Sequence, residues 1–231
     1  MKVFLKLCAA TVIALLLATQ AHALGLADIS NKDAAAGLKE ALTKGSQAAV
    51  AALGKQDGFL KNERVRIPLP DSLHRVEGMM RTLGLGKYAD ELVTTMNRAA
   101  ETAVVEAKPL LVNAVKNMSV QDAKGILTGG QDAATQYFKR TTSGPLTDKF
   151  LPIVKKATQK VKLADKYNEF AGKGAKFGLI DQKDADLNNY VTQKTLDGLF
   201  LMIAEEEKKI RQDPVGSASS IISKVFGAIG K

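Results

Sequence analysis

The sequence predicts an all-α protein, a single bundle of about eight or nine helices. Apolar residues recur at helical spacing along nearly the whole chain after residue 30, and no series of alternating strands interrupts them. No repeat of fixed period is visible, which argues against a solenoid. The connections between helices are short, and none has the composition of a flexible linker. We therefore expect residues 24–231 to form one all-helical domain.

The first 23 residues have the parts of a cleavable export signal. Lys2 and Lys6 precede an apolar run of 12 residues, Leu7–Ala18, which is too short for a membrane span. Ala21 and Ala23 supply the small side chains that signal peptidase needs. We expect cleavage after Ala23 and a soluble, periplasmic protein.

Composition excludes several kinds of chemistry. Cleavage after Ala23 leaves 208 of 231 residues, removes Cys8, the only cysteine, and lowers the net charge from +9 to +7. His74 is then the only histidine, and no Gly-x-Ser-x-Gly motif is present, so neither a zinc site nor a catalytic triad is supported. We expect no metal and no cofactor. Trp is absent and aromatic residues make up 5%, which argues against a nucleic-acid partner.

Helix signals follow one another along the predicted domain. A capping box at Ser119–Asp122 opens one helix, Pro109 should kink or divide the longest, and Asp181 and Asp184 should cap the one before Gln212. Gly144-Pro145 is expected to begin a further helix. The expected helices begin near residues 30, 71, 88, 119, 133, 144, 164, 185 and 215.

Residues 59–70 interrupt the helical pattern. Val65 and Ile67 alternate with polar residues, and Pro68 and Pro70 follow. This pattern predicts a short extended segment, or a small hairpin.

Asn97, Arg98 and Glu101 form the most distinctive polar cluster. Asn97 and Glu101 are one helical turn apart on an Ala-rich face, so both can point inward. One interpretation is a buried polar network that fixes helix register. The other is the floor of a ligand cavity.

The cavity interpretation predicts a groove between the long helix at Asn97–Glu101 and the helix near Asp197–Phe200, lined by Tyr137 and Phe138. The candidate ligand-binding residues are Asn97, Arg98, Glu101, Tyr137, Phe138, Asp197, Phe200 and Arg211. By contrast, Glu207 and Arg211 are expected to form an exposed pair one turn apart.

The basic charge indicates the class of partner. The charge is spread over many helices, and its tight basic runs are Lys139-Arg140, Lys155-Lys156 with Lys160 and Lys162, and Lys208-Lys209. An exported basic protein meets lipids, other anionic envelope components and envelope proteins. The C-terminal segment, 215–231, is amphipathic and either docks on the bundle or lies on a membrane surface. The oligomeric state stays open.

Several motifs together carry a family resemblance: Ile67–Pro70, Asn97–Glu101, Ala133–Phe138, Asp186–Thr192, Leu196–Phe200 and Ile210–Pro214. The chain resembles the bacterial family known as domain of unknown function four-one-nine-seven. The resemblance implies an exported, helical protein. It implies no established activity, so no catalytic residue is carried over. It suggests a role within the family for six polar positions: Asn97, Arg98, Glu101, Asp197, Arg211 and Asp213.

Three functions remain open at this point. The residues favour a protein without enzymatic activity that binds an apolar or anionic envelope ligand, or an envelope protein. A second hypothesis is a hydrolase of cell wall or lipid, with Glu101 as acid/base and Arg98 or Arg211 holding an anion. Such a Glu101 must reach a solvent-accessible cleft. A third is a structural or assembly factor of the envelope, which a large exposed apolar patch without a pocket would favour.

Overall fold

A computed structural model describes residues 31–176, 186–213 and 220–229. Within these ranges the chain forms nine α-helices and no β-strand, which confirms the predicted all-α bundle. The export signal, Asp181 and Asp184 lie outside the described residues, as do the side chain of His74 and residues 214–219. The helices are α1 (Asn31–Leu53), α2 (Asp71–Thr82), α3 (Gly86–Val104), α4 (Ala107–Lys116), α5 (Val120–Thr128), α6 (Ala133–Thr158), α7 (Lys162–Lys176), α8 (Leu187–Gln212) and α9 (Ser220–Ile229).

The two longest helices, α6 and α8, pack along each other at the centre of the bundle. Helix α3 packs on both of them, and α1 packs on α8, α4 and α9. One continuous apolar core runs through these contacts, and its largest fully buried side chains include Phe59, Phe138 and Phe150. No described helix combines the length and the apolar composition that crossing a membrane requires.

The helix predicted from about Tyr88 to Met118 is divided, as expected, but not at the proline. The break lies at Val105 and Glu106, and α4 begins at Ala107. Pro109 is the third residue of α4, within the first turn, where no intrahelical hydrogen bond from the backbone N–H is required.

The predicted start of a new helix at Gly144-Pro145 is wrong. Helix α6 runs unbroken through Pro145 and Pro152. Leu146, Phe150 and Val154 are fully buried along one side of its second half. A proline inside a helix costs about 3 kcal/mol. Burying each large apolar side chain contributes about 1.5–3 kcal/mol, so three of them together can offset the roughly 6 kcal/mol that two prolines cost.

Local capping was predicted correctly at α5 and in the wrong place at α8. Ser119 Oγ accepts from the Asp122 N–H at 3.0 Å, and the Asp122 carboxylate accepts from the Ser119 N–H at 3.3 Å. At α8 the cap is Asp186, which accepts from the backbone of Asn188 at 2.7 Å. The predicted caps, Asp181 and Asp184, lie too early because α8 begins at Leu187.

We expect Ser119→Ala to lower the free energy of unfolding at neutral pH by about 1 kcal/mol, the usual effect of losing such a cap. Hydrogen bonds from Ser119 hold the pKa of Asp122 below its ordinary value. Stability linked to a lowered carboxyl pKa is complete above the unfolded-state pKa and is lost as the pH falls through the folded-state pKa. Urea unfolding at neutral and acidic pH should therefore show the effect of Ser119→Ala shrinking in acid. An effect that grows in acid would contradict this account.

The C-terminal helix α9 docks on the bundle. Ile222, Val225 and Phe226 are buried, and α9 packs on α1. At Gly37 of α1, an added Cβ would lie 2.7 Å from Val225 Cγ2 and 2.9 Å from the Ile221 carbonyl oxygen. The glycine thus permits the close approach. A membrane contact through the apolar stripe of this segment would require α9 to leave α1.

Candidate functional site

The cluster of Asn97, Arg98 and Glu101 fastens the segment between α1 and α2 to α3. Asn97 is fully buried. Its Oδ1 accepts from the Ile67 N–H at 2.8 Å, and its Nδ2 donates to the Ile67 carbonyl at 2.9 Å and to the Val93 carbonyl at 2.8 Å. The amide therefore pairs with the backbone as a neighbouring strand would. The predicted hairpin does not form: residues 54–65 make turns, and 66–70 run without regular structure.

Glu101 binds the other part of the same segment. Its Oε1 accepts from the N–H groups of Phe59 and Leu60, both at 3.1 Å. Its Oε2 accepts from Arg98 Nη1 at 2.6 Å, and the guanidinium also donates to Asp57 Oδ1 at 2.7 Å. Hydrogen bonds from Lys61 and Arg98 hold the pKa of Asp57 below its ordinary range. These contacts are those expected of a polar network that fixes the fold.

Phe59, which this network positions, packs against Gly198 of α8. An added Cβ on Gly198 would lie 2.8 Å from Phe59 Cε1 and 3.3 Å from Val65 Cβ. Gly198 thus leaves space for the segment to sit between α3 and α8. Arg64 adds an ion pair with Glu205 of α8.

A second polar network lies at the start of α6. Glu207 of α8 accepts from the Ala134 N–H at 3.0 Å, and from the N–H and hydroxyl of Thr135, both at 2.9 Å. Glu207 thus caps α6 from another helix. Asp132, the residue at the N-cap, makes no side-chain capping bond itself. Arg211 donates to Glu207 Oε1 and to the Ile126 carbonyl, both at 2.9 Å. The prediction that Glu207 and Arg211 form an exposed pair is therefore wrong: their side chains are 5% and 10% exposed, respectively.

The remaining predicted site residues do not line an open groove between α3 and α8. Tyr137, Phe138 and Phe200 are buried, and the Tyr137 hydroxyl donates to the Ala114 carbonyl at 2.7 Å. Burial raises the pKa of Tyr137. Asp197 is exposed and accepts from Gln193 of its own helix at 2.9 Å.

A groove of about 480 Å³ lies instead between α3 and the C-terminal third of α6; we call it the α3–α6 groove. Its size is typical of small-molecule sites. Its apolar lining is Ala99, Ile153, Ala157 and Val161. Its polar lining is Glu91, Thr94, Thr95, Arg98, Thr102, Lys156 and Lys160.

Three of the four charged residues that line the groove are cations. Lys156 lies in the last turn of α6 and Lys160 two residues beyond its end; both are exposed and form no ion pair with any described residue. Arg98 adds a guanidinium whose charge is shared with Glu101 and Asp57. Glu91 is the one acidic residue among those that line the groove. The arrangement suits an anion attached to an apolar body, since ammonium groups and hydroxyls stand beside an aliphatic floor.

Among the described residues, no group of three His, Cys, Asp or Glu side chains could hold a metal ion. A second cavity, beside Glu207 and Arg211, encloses only about 10 Å³. That is about the room of one water molecule.

Of the eight predicted ligand-binding residues, only Arg98 lines the α3–α6 groove. The sequence shows Lys156 and Lys160 as part of a basic run, but the run was not predicted to belong to a site. One signal was present: Ile153, Ala157 and Val161 recur every four residues beside those lysines. The side of the groove that α3 supplies carries no such signal.

The comparisons with known proteins give a family and nothing closer. The family described as "Protein of unknown function (DUF4197)" matches residues 28–227. No curated protein and no solved structure gives a significant match. The matched range covers nearly all of the chain after the predicted export signal, so the family that the sequence motifs resemble is confirmed. The chain belongs to the DUF4197 family.

Proposed function

We propose that this protein binds an anionic amphiphile in the α3–α6 groove and does so without catalysing a reaction. The ligand class is a carboxylate or phosphate joined to an aliphatic chain. The observation that carries the proposal is the juxtaposition of Lys156 and Lys160 with the floor formed by Ala99, Ile153 and Ala157.

The chemistry of the two sides explains the choice of ligand. An aliphatic chain against the floor gains about 25 cal/mol for each Å² of apolar surface removed from water. An anionic head then lies within reach of two ammonium groups that have no carboxylate partner among the described residues. Thr94 and Thr95 add hydroxyls that can donate to the head.

The geometry favours binding over hydrolysis. An acid/base Glu101 would need free access to a substrate proton. Glu101 is 5% exposed, and both of its oxygens accept hydrogen bonds that hold the fold. Arg211, the other proposed anion clamp, is engaged by Glu207 and the Ile126 carbonyl.

The sequence supports the periplasm as the place of action. Removal of residues 1–23 would give a 208-residue protein that begins at Leu24. The intact mass of the protein isolated from a periplasmic fraction tests this, because an uncleaved chain would retain all 231 residues.

The direct test of the groove is a fluorescence titration with dansylundecanoic acid, a long-chain carboxylate, below its critical micelle concentration. We expect saturable binding by the wild type. We expect Lys156→Gln/Lys160→Gln to bind roughly tenfold more weakly, since two charge-assisted contacts are lost. Both substitutions are at exposed positions, so the fold should be unchanged by circular dichroism.

A matched control is available on the same helix. Lys149 and Lys155 are exposed and do not line the groove. Lys149→Gln/Lys155→Gln makes the same change in net charge and should leave the affinity within about twofold of the wild type. Absence of saturable binding would contradict the proposal, and so would equal loss in both double variants.

A further inference from the structure

Four large apolar side chains are exposed together at the turn between α2 and α3. Met79, Leu83, Leu85 and Tyr88 are 66%, 70%, 42% and 44% exposed. Met79 and Leu83 lie one turn apart on α2 and just beyond its end, and Leu85 and Tyr88 lie at the start of α3. Helices α2 and α3 pack on each other as a helical hairpin, and we call residues 79–88 the hairpin tip. A monomeric protein rarely leaves such side chains grouped in water without a use for them.

The other end of the helical hairpin, at the start of α2, is anchored to the bundle, so the tip projects from it. At its base, Leu73 is buried and the Ser72 hydroxyl lies 3.1 Å from the Tyr167 hydroxyl of α7. Arg81, within the tip, joins the two helices by pairing with Glu77 at 2.8 Å and with Asp90 at 2.6 Å. Among the described helices, α2 packs mainly on α3. An added Cβ at Gly84, which has a φ of 74°, would meet no atom within 4 Å.

The residues of the tip fit a lipid–water interface. No acidic residue occurs between Gly78 and Ala89. The Lys87 ammonium lies 5.1 Å from the centre of the Tyr88 ring. Tyrosine and lysine beside aliphatic side chains are the residues that settle at lipid headgroups, with the ring at the boundary and the ammonium towards phosphate.

The small area of the tip argues against a protein as the occupant. A standard protein interface buries about 800 Å² on each partner, and four side chains on a projecting turn cannot supply that area alone. Interfacial anchoring, by contrast, needs only a few inserted apolar side chains and attraction to anionic lipid. The charge of the chain, +9 in full and +7 without the predicted signal, has the sign that this attraction requires.

We propose that the hairpin tip inserts into the headgroup region of a phospholipid bilayer that contains anionic lipid. The docking surface is continuous with the proposed ligand site, because Glu91 at one end of the α3–α6 groove lies one turn beyond Tyr88. Docking would therefore bring that end of the groove to the membrane. The proposal extends the proposed function but stands on the residues of the tip, whether or not the groove holds a ligand.

Vesicle sedimentation tests the proposal with protein purified without the predicted export signal. The vesicles contain phosphatidylethanolamine and phosphatidylglycerol, and a second set contains phosphatidylcholine alone. We expect the wild type to sediment with the anionic vesicles, less so at high salt. We expect Met79→Ser/Leu83→Ser to partition roughly tenfold or more weakly, because two inserted apolar side chains are lost.

The control is Val105→Ser/Val120→Ser, which removes exposed apolar side chains of 49% and 62% exposure elsewhere. It should sediment like the wild type. The proposal is overturned if the wild type stays in the supernatant, if the tip variant sediments like the wild type, or if the control loses as much binding as the tip variant. A wild-type dimer that the tip substitutions dissociate, without vesicle binding, would assign the tip to a contact between copies and would also overturn it.

The titration with dansylundecanoic acid, without vesicles, separates this proposal from the proposed function. The tip variant should bind the probe like the wild type, because Met79 and Leu83 do not line the groove. Loss of vesicle binding with an intact groove is the result that membrane docking by the tip predicts.

Discussion

Replacing Glu207 by alanine is expected to lower the free energy of unfolding by about 3–5 kcal/mol, the range for breaking a buried ion pair from one side. The substitution leaves the N–H groups of Ala134 and Thr135 without their acceptor at the start of α6. It also leaves Arg211, whose side chain is 10% exposed, without its carboxylate. Urea unfolding followed by circular dichroism measures the change.

The neighbouring residue Glu206 provides the control for Glu207. Glu206 pairs with Lys209 of the same helix at 2.6 Å; the Glu206 side chain is partly exposed and that of Lys209 is exposed. Glu206→Ala should therefore cost no more than about 1 kcal/mol, as exposed ion pairs do. If Glu207→Ala were no more destabilising than Glu206→Ala, the cap on α6 would not have the role described.

Replacing Asn97 by alanine is expected to destabilise the protein by about 3 kcal/mol, because the Ile67 N–H and carbonyl both lose their buried partner. Asn97→Asp should cost at least as much. Aspartate offers no amide donor, so its second oxygen would face the carbonyls of Ile67 and Val93. Urea unfolding measures the stability, and the rate of tryptic cleavage at Lys61 and Arg64 reports on the released segment.

Asn113 is the matched control, since it is exposed and its side chain accepts only from Asn117, at 3.3 Å, among the described residues. Asn113→Ala should change the stability by less than about 0.5 kcal/mol, as is usual at the surface. A stable Asn97→Ala protein with unchanged tryptic cleavage would contradict the assignment of Asn97 as the partner of the extended segment.

Local signals predicted much of the fold because helices depend on neighbours in sequence. Helical spacing of apolar residues located the helices, and the capping box at Ser119 marked the start of α5. Signals that depend on distant contacts were misread. Pro145 suggested a boundary that the buried side of α6 overrides, and the spacing of Glu207 and Arg211 suggested an exposed pair where the side chains are 5% and 10% exposed.

The candidate site was less predictable for the same reason. The spacing of Asn97 and Glu101 correctly indicated that both point inward, but not that their partners are the backbones of Ile67 and Phe59. The α3–α6 groove joins Thr94 to Lys156, residues far apart in sequence. The α6 side is marked only by the spacing of Ile153, Ala157 and Val161, and the α3 side carries no signal, so it is the packing of α3 on α6 that reveals the groove.

Native mass spectrometry of the protein isolated from its own cell tests the central claim most directly. Any bound molecule is extracted with solvent and identified by its mass. The account predicts a co-purified anionic amphiphile that is present on the wild type and on Lys149→Gln/Lys155→Gln and is depleted on Lys156→Gln/Lys160→Gln. A ligand carried equally by all three proteins, or a bound molecule without an anionic group, would contradict binding in the α3–α6 groove.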